Sequence, residues 1–273
     1  MPVPRGLIGV VHLPPLPGDP GHAPGGGMRD IERRALADAE ALAAGGAAAL
    51  IVENFGSAPF FKGTAGQRLP PHQVAALALL ARACKRTSGL PVGVNCLRND
   101  ARAAIGIAAA AELDFVRVNV HTGAYLTDQG LIEGEAARTL RYRRALGAEG
   151  VAILADVLVK HAAPLVPLAP ELAVRECLER GRADAVIVTG AATGAPPARE
   201  LLEAARRAAG ERPVLIGSGL RPELVPALAP LADGAIAGSW LKQGGRLEAP
   251  IDPGRVRALA QALAAHLRPA TPR

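Results

Sequence analysis

Short β-branched runs that alternate with alanine- and leucine-rich segments limit most strongly how this chain can fold. Each run is nearly continuous in apolar residues, which is typical of parallel strands covered by helices on both faces. The segments between them carry helix start signals, such as Asn99 or Asp100 at an N-cap position. The predicted strands are Gly6–Leu13, Ala48–Phe55, Pro91–Leu97, Asp114–Val120, Val151–Val159, Asp184–Gly190, Pro213–Gly219 and Gly234–Trp240.

Eight strand–helix units with short connections predict an α/β fold of the (β/α)8 TIM-barrel class. A doubly wound open sheet is the alternative, but no GxGxxG motif follows the first predicted strand. No linker or shift in composition divides the 273 residues. We therefore predict a single domain over residues 1–273, with its core at about 6–267 and a frayed tail at 268–273.

Composition narrows the choice of partners and location. The net charge of +6 comes from scattered arginines, which indicate either solvated helix faces or an anionic substrate. Aromatic residues make up only 3%, so nucleic acid is not an expected partner. Three cysteines without a CxxC motif favour the cytoplasm. No signal peptide or membrane-length apolar stretch is evident, so we expect no integral membrane association, whereas a homo-oligomer is compatible with the sequence.

Polar residues collect where the predicted strands end, which is where a barrel of this class carries its chemistry. Buried polar groups need partners, and a bound polar ligand would supply them. For the asparagines the alternative is a bond to neighbouring backbone, and for Arg117 it is an ion pair with Asp156 inside the barrel. The predicted substrate-binding residues are His12, Asn54, Asn95, Arg117, Asn119, Thr122, Asp128, Gln129, His161 and Thr189.

Four of the strand-end residues are candidates for catalysis. Glu53 or Asp156 would be the general base or acid, and an apolar barrel wall would raise the pKa of such a carboxyl toward neutrality. His121 would be the partner acid or would stabilise an oxyanion, unless it only caps a loop. Lys160 would bind an anionic substrate or, if desolvated, act as a base or Schiff-base amine.

Glycine-rich turns follow the last two predicted strands, at the position where barrels often bind phosphate. Glycines let backbone N–H groups approach an anion, and a following helix N-terminus adds a favourable dipole. The alternative is that these glycines only form tight turns. The predicted phosphate-binding residues are Gly217, Ser218, Gly219, Gly238 and Ser239.

Metal binding has less support in the sequence. Neither HxH nor HExxH occurs, so we predict no metal site and no cofactor, with Mg²⁺ as the alternative.

Several of these segments together resemble the BtpA/SgcQ family over about residues 6–245. The matching motifs, in chain order, are VVHLPPLPG, VENFGSAPF, VGVNCLRND, VRVNVHTGAYLTDQGLIEG, LADVLVKHAAPL, DAVIVTGAATG and VLIGSG. The resemblance implies a barrel of the ribulose-phosphate-binding type but no established reaction. It also implies a role in photosystem I biogenesis for the cyanobacterial member that gave the family its name.

The expected function is that of an enzyme acting on a small phosphorylated sugar, nucleotide or related anion at the barrel mouth. Isomerisation, lyase-type cleavage and glycosidic cleavage all remain open. The alternative is a non-catalytic, ligand-binding assembly or regulatory factor, as in photosystem I biogenesis.

Overall fold

A closed barrel of parallel strands forms the centre of the chain in a computed structural model, which describes residues 3–190 and 194–269. This confirms the predicted (β/α)8 fold. The strands are shorter than the predicted runs, which lose one to three residues to the loops at their carboxyl ends. The barrel strands are β1 (Gly6–His12), β2 (Ala49–Glu53), β3 (Val92–Asn95), β4 (Phe115–Val118), β7 (Ala152–Val157), β9 (Ala185–Val188), β10 (Val214–Ile216) and β11 (Gly234–Ala237).

Helices surround the barrel and follow its strands. Asp100, not Asn99, caps the third helix by accepting a 2.9 Å bond from the Ala103 N–H. None of the described helices combines the length and apolarity that crossing a membrane requires. The helices are α1 (Met28–Ala44), α2 (Pro71–Ser88), α3 (Ala101–Ala110), α4 (Ala136–Ala145), α5 (Pro170–Arg175, extended by a π turn at Glu176–Arg180), α6 (Arg199–Ala209), α7 (Val225–Leu228) and α8 (Pro253–His266).

The interior of the barrel is a packed core. Inward-facing residues such as Ile51, Phe115 and Leu154 are almost completely buried and form one apolar cluster. A Cβ atom at Gly93 would come within 2.3 Å of the Phe115 ring, so this glycine makes room for the largest side chain inside the barrel. Side chains fill the barrel at the level of Phe115, so a ligand would enter at the carboxyl ends of the strands.

A small antiparallel sheet, absent from the predicted strands, joins the loops that follow β4 and β7. Its strands are β5 (Ala124–Thr127), β6 (Gly130–Glu133) and β8 (Ala162–Pro164), in the order β6-β5-β8. Tyr125 and Ile132 on one face pack against Val120 and Val159. The polar stretch after β4 is therefore an ordered cap at the carboxyl end of the barrel.

The chain leaves the barrel after α8. Arg268 forms ion pairs with Glu211 at 2.6 Å and with Asp233 at 3.7 Å. The predicted tail begins at this residue, and its last four positions, 270–273, lie outside the described residues.

Candidate active site

A layer of polar side chains covers the apolar core at the carboxyl end of the barrel. Side chains two positions apart on a strand face the same way, so the polar residues that follow the inward-facing apolar ones also point to the barrel axis. On β1 to β4 these residues are His12, Glu53, Asn95 and Arg117, and the strand register places them side by side. Arg117 is level with Leu154 on β7, so Asp156 lies two residues further toward the carboxyl end of the barrel.

Arg117 connects the two carboxylates of this layer. Its Nε and Nη2 atoms donate to Oδ2 and Oδ1 of Asp156, each at 3.1 Å, while Nη1 donates to Glu53 Oε1 at 3.2 Å. The Asp156 side chain is 0% exposed and also accepts a 2.7 Å bond from Asn119 Nδ2. The ion pair considered for Arg117 and Asp156 is thus present, and the geometry makes Asp156 a residue that positions Arg117 and Asn119.

Glu53 presents one uncommitted oxygen to the mouth. Its Oε1 accepts bonds from Asn95 Nδ2 at 3.1 Å and from Arg117, whereas Oε2 accepts none from the described residues. Burial raises the pKa of this carboxyl, but Arg117, His12 and the bond from Asn95 outweigh that effect and lower it below the usual value. The raised pKa expected of a carboxylate here is therefore wrong for Glu53, which is ionised at neutral pH.

A cavity of about 390 Å³ lies above the polar layer. A narrower cavity of about 40 Å³ continues from it toward the glycine-rich turns, and both contain Glu53, Phe55, Arg117 and Lys160 in their walls. The larger volume falls within the range of small-molecule sites. Its walls are Glu53, Phe55, Phe60, Asn95, Leu97, Arg98, Arg117, Asn119, Asp128, Lys160 and His161.

Lys160 and His161 enter the cavity from the loop between β7 and β8. Burial, together with the positive charge of Arg117, lowers the pKa of the Lys160 ammonium. The Lys160 backbone donates to Thr189 Oγ1 at 3.2 Å and accepts from Arg98 Nη2 at 2.8 Å. Thr189 therefore supports this loop. It was predicted to contact the substrate, but it does not line the cavity.

His12 stands at the junction between the cavity and the glycine-rich turns. Its ring meets the edge of Phe55 at a centroid distance of 4.9 Å. Burial lowers the pKa of His12 to about 4, so the ring is neutral at pH 7. Its Nδ1 atom is buried without a hydrogen-bond partner among the described residues.

The turn after β10 departs from the predicted phosphate loop in two respects. The Gly217 N–H already donates to the Val188 carbonyl at 2.7 Å, so it is not available to an anion. Gly219 has a φ of +69°, and a Cβ there would lie 2.2 Å from the Ala195 carbonyl carbon. Ser218 Oγ donates to that carbonyl oxygen at 2.9 Å. Close packing against residues 195–196 thus accounts for part of the glycine pattern.

The turn after β11 packs against His12, since a Cβ at Gly238 would lie 2.4 Å from its Cε1 atom. Gly238 and Ser239 line the narrow cavity beside His12, together with Ser218 and Gly219. A short 3-10 turn, Ser239–Leu241, follows β11, and α8 begins only at Pro253. The helix N-terminus expected directly after this turn is therefore absent from it.

Besides Asp156 and Thr189, four predicted site residues are absent from the walls of both cavities, and their side chains make other contacts. His121 is 1% exposed and donates from Nε2 to the Gly181 carbonyl at 2.8 Å. Thr122 packs beside the same glycine. Both amide atoms of Asn54 bond the Leu97 backbone, at 2.7 and 3.2 Å. Gln129 lies in the β5–β6 turn and bonds Asp128, which does reach the cavity.

Two parts of the cavity wall were not predicted from the sequence: Arg98, and an aromatic wall formed by Phe55 and Phe60. Arg98 is 6% exposed, and burial lowers its pKa. A charged residue directly after a buried strand was the available signal. Phe55 and Phe60 lie in the loop between β2 and α2, where three of the four phenylalanines of the chain are found within seven residues. That clustering in an aromatic-poor chain was a second signal.

Within residues 3–190 and 194–269, no group of three or more His, Cys, Asp or Glu side chains is arranged to hold a metal ion.

The strands and the mouth cavity define a (β/α)8 barrel with a cavity at its carboxyl end. Among solved structures, N-(5'-phosphoribosyl)anthranilate isomerase from Pyrococcus furiosus is similar, with a TM-score of 0.55 at 12% identity. The likeness covers 96% of this chain and 99% of that chain. At such identity it demonstrates a shared fold alone.

The chain belongs to the BtpA family, whose model matches residues 4–265. The photosystem I biogenesis protein BtpA of Synechocystis sp. is 48% identical over 262 residues, which cover 96% of this chain and 89% of that protein. An uncharacterised protein of Pyrococcus furiosus is 42% identical, over 93% of both chains. The resemblance inferred from the motifs is thereby confirmed.

Proposed function

We propose that this protein is an enzyme that transfers protons on a small phosphorylated substrate held in the mouth cavity. The observation that carries the proposal is the ionised Glu53 carboxylate with its uncommitted Oε2 in a 390 Å³ cavity, which Lys160 also lines. A carboxylate fixed through one oxygen and open at the other is suited to abstract a proton from carbon or hydroxyl.

Lys160 supplies the complementary charge. An ammonium group beside the reacting atom stabilises the enolate or alkoxide that forms when Glu53 takes the proton. Its lowered pKa also brings it closer to the range in which it can return a proton or act as a nucleophile. Arg117 and Asp156 hold Glu53 in place without contacting the substrate carbon. Isomerisation, lyase-type cleavage and glycosidic cleavage are the reactions that this set can serve.

The phosphate of the substrate would occupy the narrow cavity. The N–H groups at Gly238 and Ser239, with those of Ser218 and Gly219, are the proposed donors. The solved isomerase with the same fold is named for a phosphoribosyl substrate, which supports this class of ligand.

The proposal is tested by solvent exchange. Ribose 5-phosphate, ribulose 5-phosphate and related compounds are incubated with the protein in D2O, and deuterium incorporation is followed by NMR. Glu53→Gln should abolish incorporation, whereas Glu133→Gln, a matched change at an exposed site on β6, should leave it unchanged. Equal incorporation by wild type and Glu53→Gln would remove Glu53 as the base.

A second candidate is a non-catalytic, ligand-binding assembly factor. Two observations favour it: the 48% identical relative is named for photosystem I biogenesis, and the cap carries exposed apolar side chains such as Leu126 and Leu131. This candidate predicts saturable binding of a phosphorylated compound without exchange or turnover.

We further propose that the protein resides in the cytoplasm and binds no nucleic acid, and that it requires neither a cofactor nor Mg²⁺. A homo-oligomer is compatible with the sequence, and light scattering of the purified protein measures whether one forms.

A further inference from the structure

We infer that the mouth cavity accepts a phosphorylated sugar that carries a planar ring, as in a nucleoside monophosphate, in preference to a bare sugar phosphate. This inference rests on the proposed function and narrows its substrate class. Three features carry it: the aromatic wall, the division of the site into two compartments, and a buried amide oxygen without a partner.

The aromatic wall is concentrated at the mouth. The chain has four phenylalanines, and two of them, Phe55 and Phe60, line the large cavity. The edge contact with His12 helps to fix the Phe55 ring. Phe61 is adjacent but 47% exposed and does not line the cavity. Aromatic faces offer stacking to a planar ring, and a bare sugar phosphate has no such ring.

The two compartments have different sizes and different chemistry. The narrow one, about 40 Å³, is bounded by glycine-rich turns, whereas only the one of about 390 Å³ has Phe60 and Leu97 in its wall, and Phe55 borders both. Glu53 belongs to both. A ligand with phosphate at one end and a ring at the other would therefore place its sugar carbons beside Glu53.

Asn119 supplies a directed acceptor for the ring. Its Nδ2 is committed to Asp156 at 2.7 Å, and a carboxylate can only accept, so the amide orientation is fixed. The Oδ1 atom consequently has no partner, although the residue is 2% exposed and lines the cavity. A donor such as a ring N–H, an exocyclic amine or a sugar hydroxyl would satisfy this oxygen, and an ionised phosphate or carboxylate would not.

The experiment is a calorimetric titration of the full-length protein with ribose 5-phosphate and with the adenosine, inosine, cytidine and uridine 5'-monophosphates. At least one nucleotide should bind about tenfold or more tightly than ribose 5-phosphate. Phe60→Leu keeps an apolar wall but removes the ring, so it should weaken that nucleotide about tenfold and leave ribose 5-phosphate within about twofold. Phe61→Leu is the matched control and should change neither affinity.

A measurement on the unchanged protein guards against a variant that fails to fold. Intermolecular NOEs between phenylalanine ring protons and the protons of the nucleotide base should appear in wild-type protein, since two of the four phenylalanines line the site. Binding of ribose 5-phosphate as tightly as every nucleotide, with no such NOEs, would overturn the ring inference and leave the proposed function intact. Absence of binding by every phosphorylated compound would overturn both.

Discussion

Replacing Asp156 by asparagine removes the charge that holds Arg117 in place. The Asp156 carboxylate receives both arms of the Arg117 guanidinium and the Asn119 amide, and its side chain is 0% exposed. An asparagine at this position can present one oxygen, so its NH2 group must face at least one of these donors. The change therefore leaves a buried donor unpaired and a buried guanidinium partly uncompensated.

The expected cost follows from that geometry. Breaking a buried ion pair on one side costs about 3–5 kcal/mol of unfolding free energy. Glu53 still pairs with Arg117 through Nη1 at 3.2 Å, so we expect the lower end, about 3 kcal/mol. For a chain of this size that corresponds to a fall in Tm of about 6–12 °C. Glu53→Gln keeps an oxygen for Asn95 and Arg117, and Arg117 keeps both of its bonds to Asp156. It should cost less than about 1 kcal/mol.

Urea unfolding at pH 7 measures both costs, with binding of ribose 5-phosphate and solvent exchange measured beside it. Asp156→Asn should lose stability, whereas Glu53→Gln should stay folded and lose exchange. Two results would refute the assignment of a positioning role to Asp156 and a chemical role to Glu53. One is a stability loss below about 1 kcal/mol for Asp156→Asn, and the other is a loss of about 3 kcal/mol for Glu53→Gln.

Four further predictions follow from the same geometry. Ser239→Asp places a like charge at the proposed phosphate position and should weaken ribose 5-phosphate at least about tenfold in calorimetry, while Ser239→Ala should change affinity less than about threefold. In a pH–rate profile, turnover should fall with rising pH at a pH below 10.5, because the pKa of Lys160 is lowered. Lys160→Arg should abolish this alkaline fall in turnover. The pKa of His12 is lowered to about 4 in the folded state, so its contribution to stability is complete above pH 6.5 and is lost as pH falls toward 4. Between these values the free energy of unfolding, measured in urea, should fall by up to about 1.4 kcal/mol per pH unit relative to His12→Gln. Removal of divalent ions with EDTA should leave ligand binding unchanged, and restoration by added Mg²⁺ of an activity lost to EDTA would contradict this.

The sequence was sufficient to predict the barrel because parallel strands that are covered on both faces must be apolar along their whole length. Side chains alternate between the two faces of a strand, and this period of two explains why Glu53, Asn95, Arg117 and Asp156 could be assigned to the mouth. A polar residue two positions beyond an inward-facing apolar one continues on the same face of the strand.

The loops could not be predicted in this way, since their contacts are set by packing between segments far apart in the chain. His121 and Asn54 also follow strands, yet they bond Gly181 and Leu97 and stay away from the cavity. The pKa of Glu53 depends on the approach of Arg117 from another strand, which no local pattern reports. The cap formed by β5, β6 and β8 went unseen because its strands are short and because β8 pairs with β5 across a separation of 35 to 39 residues.

We propose that a phosphorylated small molecule binds at the mouth with its phosphate at the turns after β10 and β11. A crystal structure of the protein soaked with ribose 5-phosphate tests this placement. Density for the phosphate should lie within hydrogen-bond distance of the Gly238 or Ser239 N–H, with the sugar carbons beside Glu53 Oε2. An empty mouth at saturating ligand, or a phosphate bound elsewhere on the barrel, would contradict the claim.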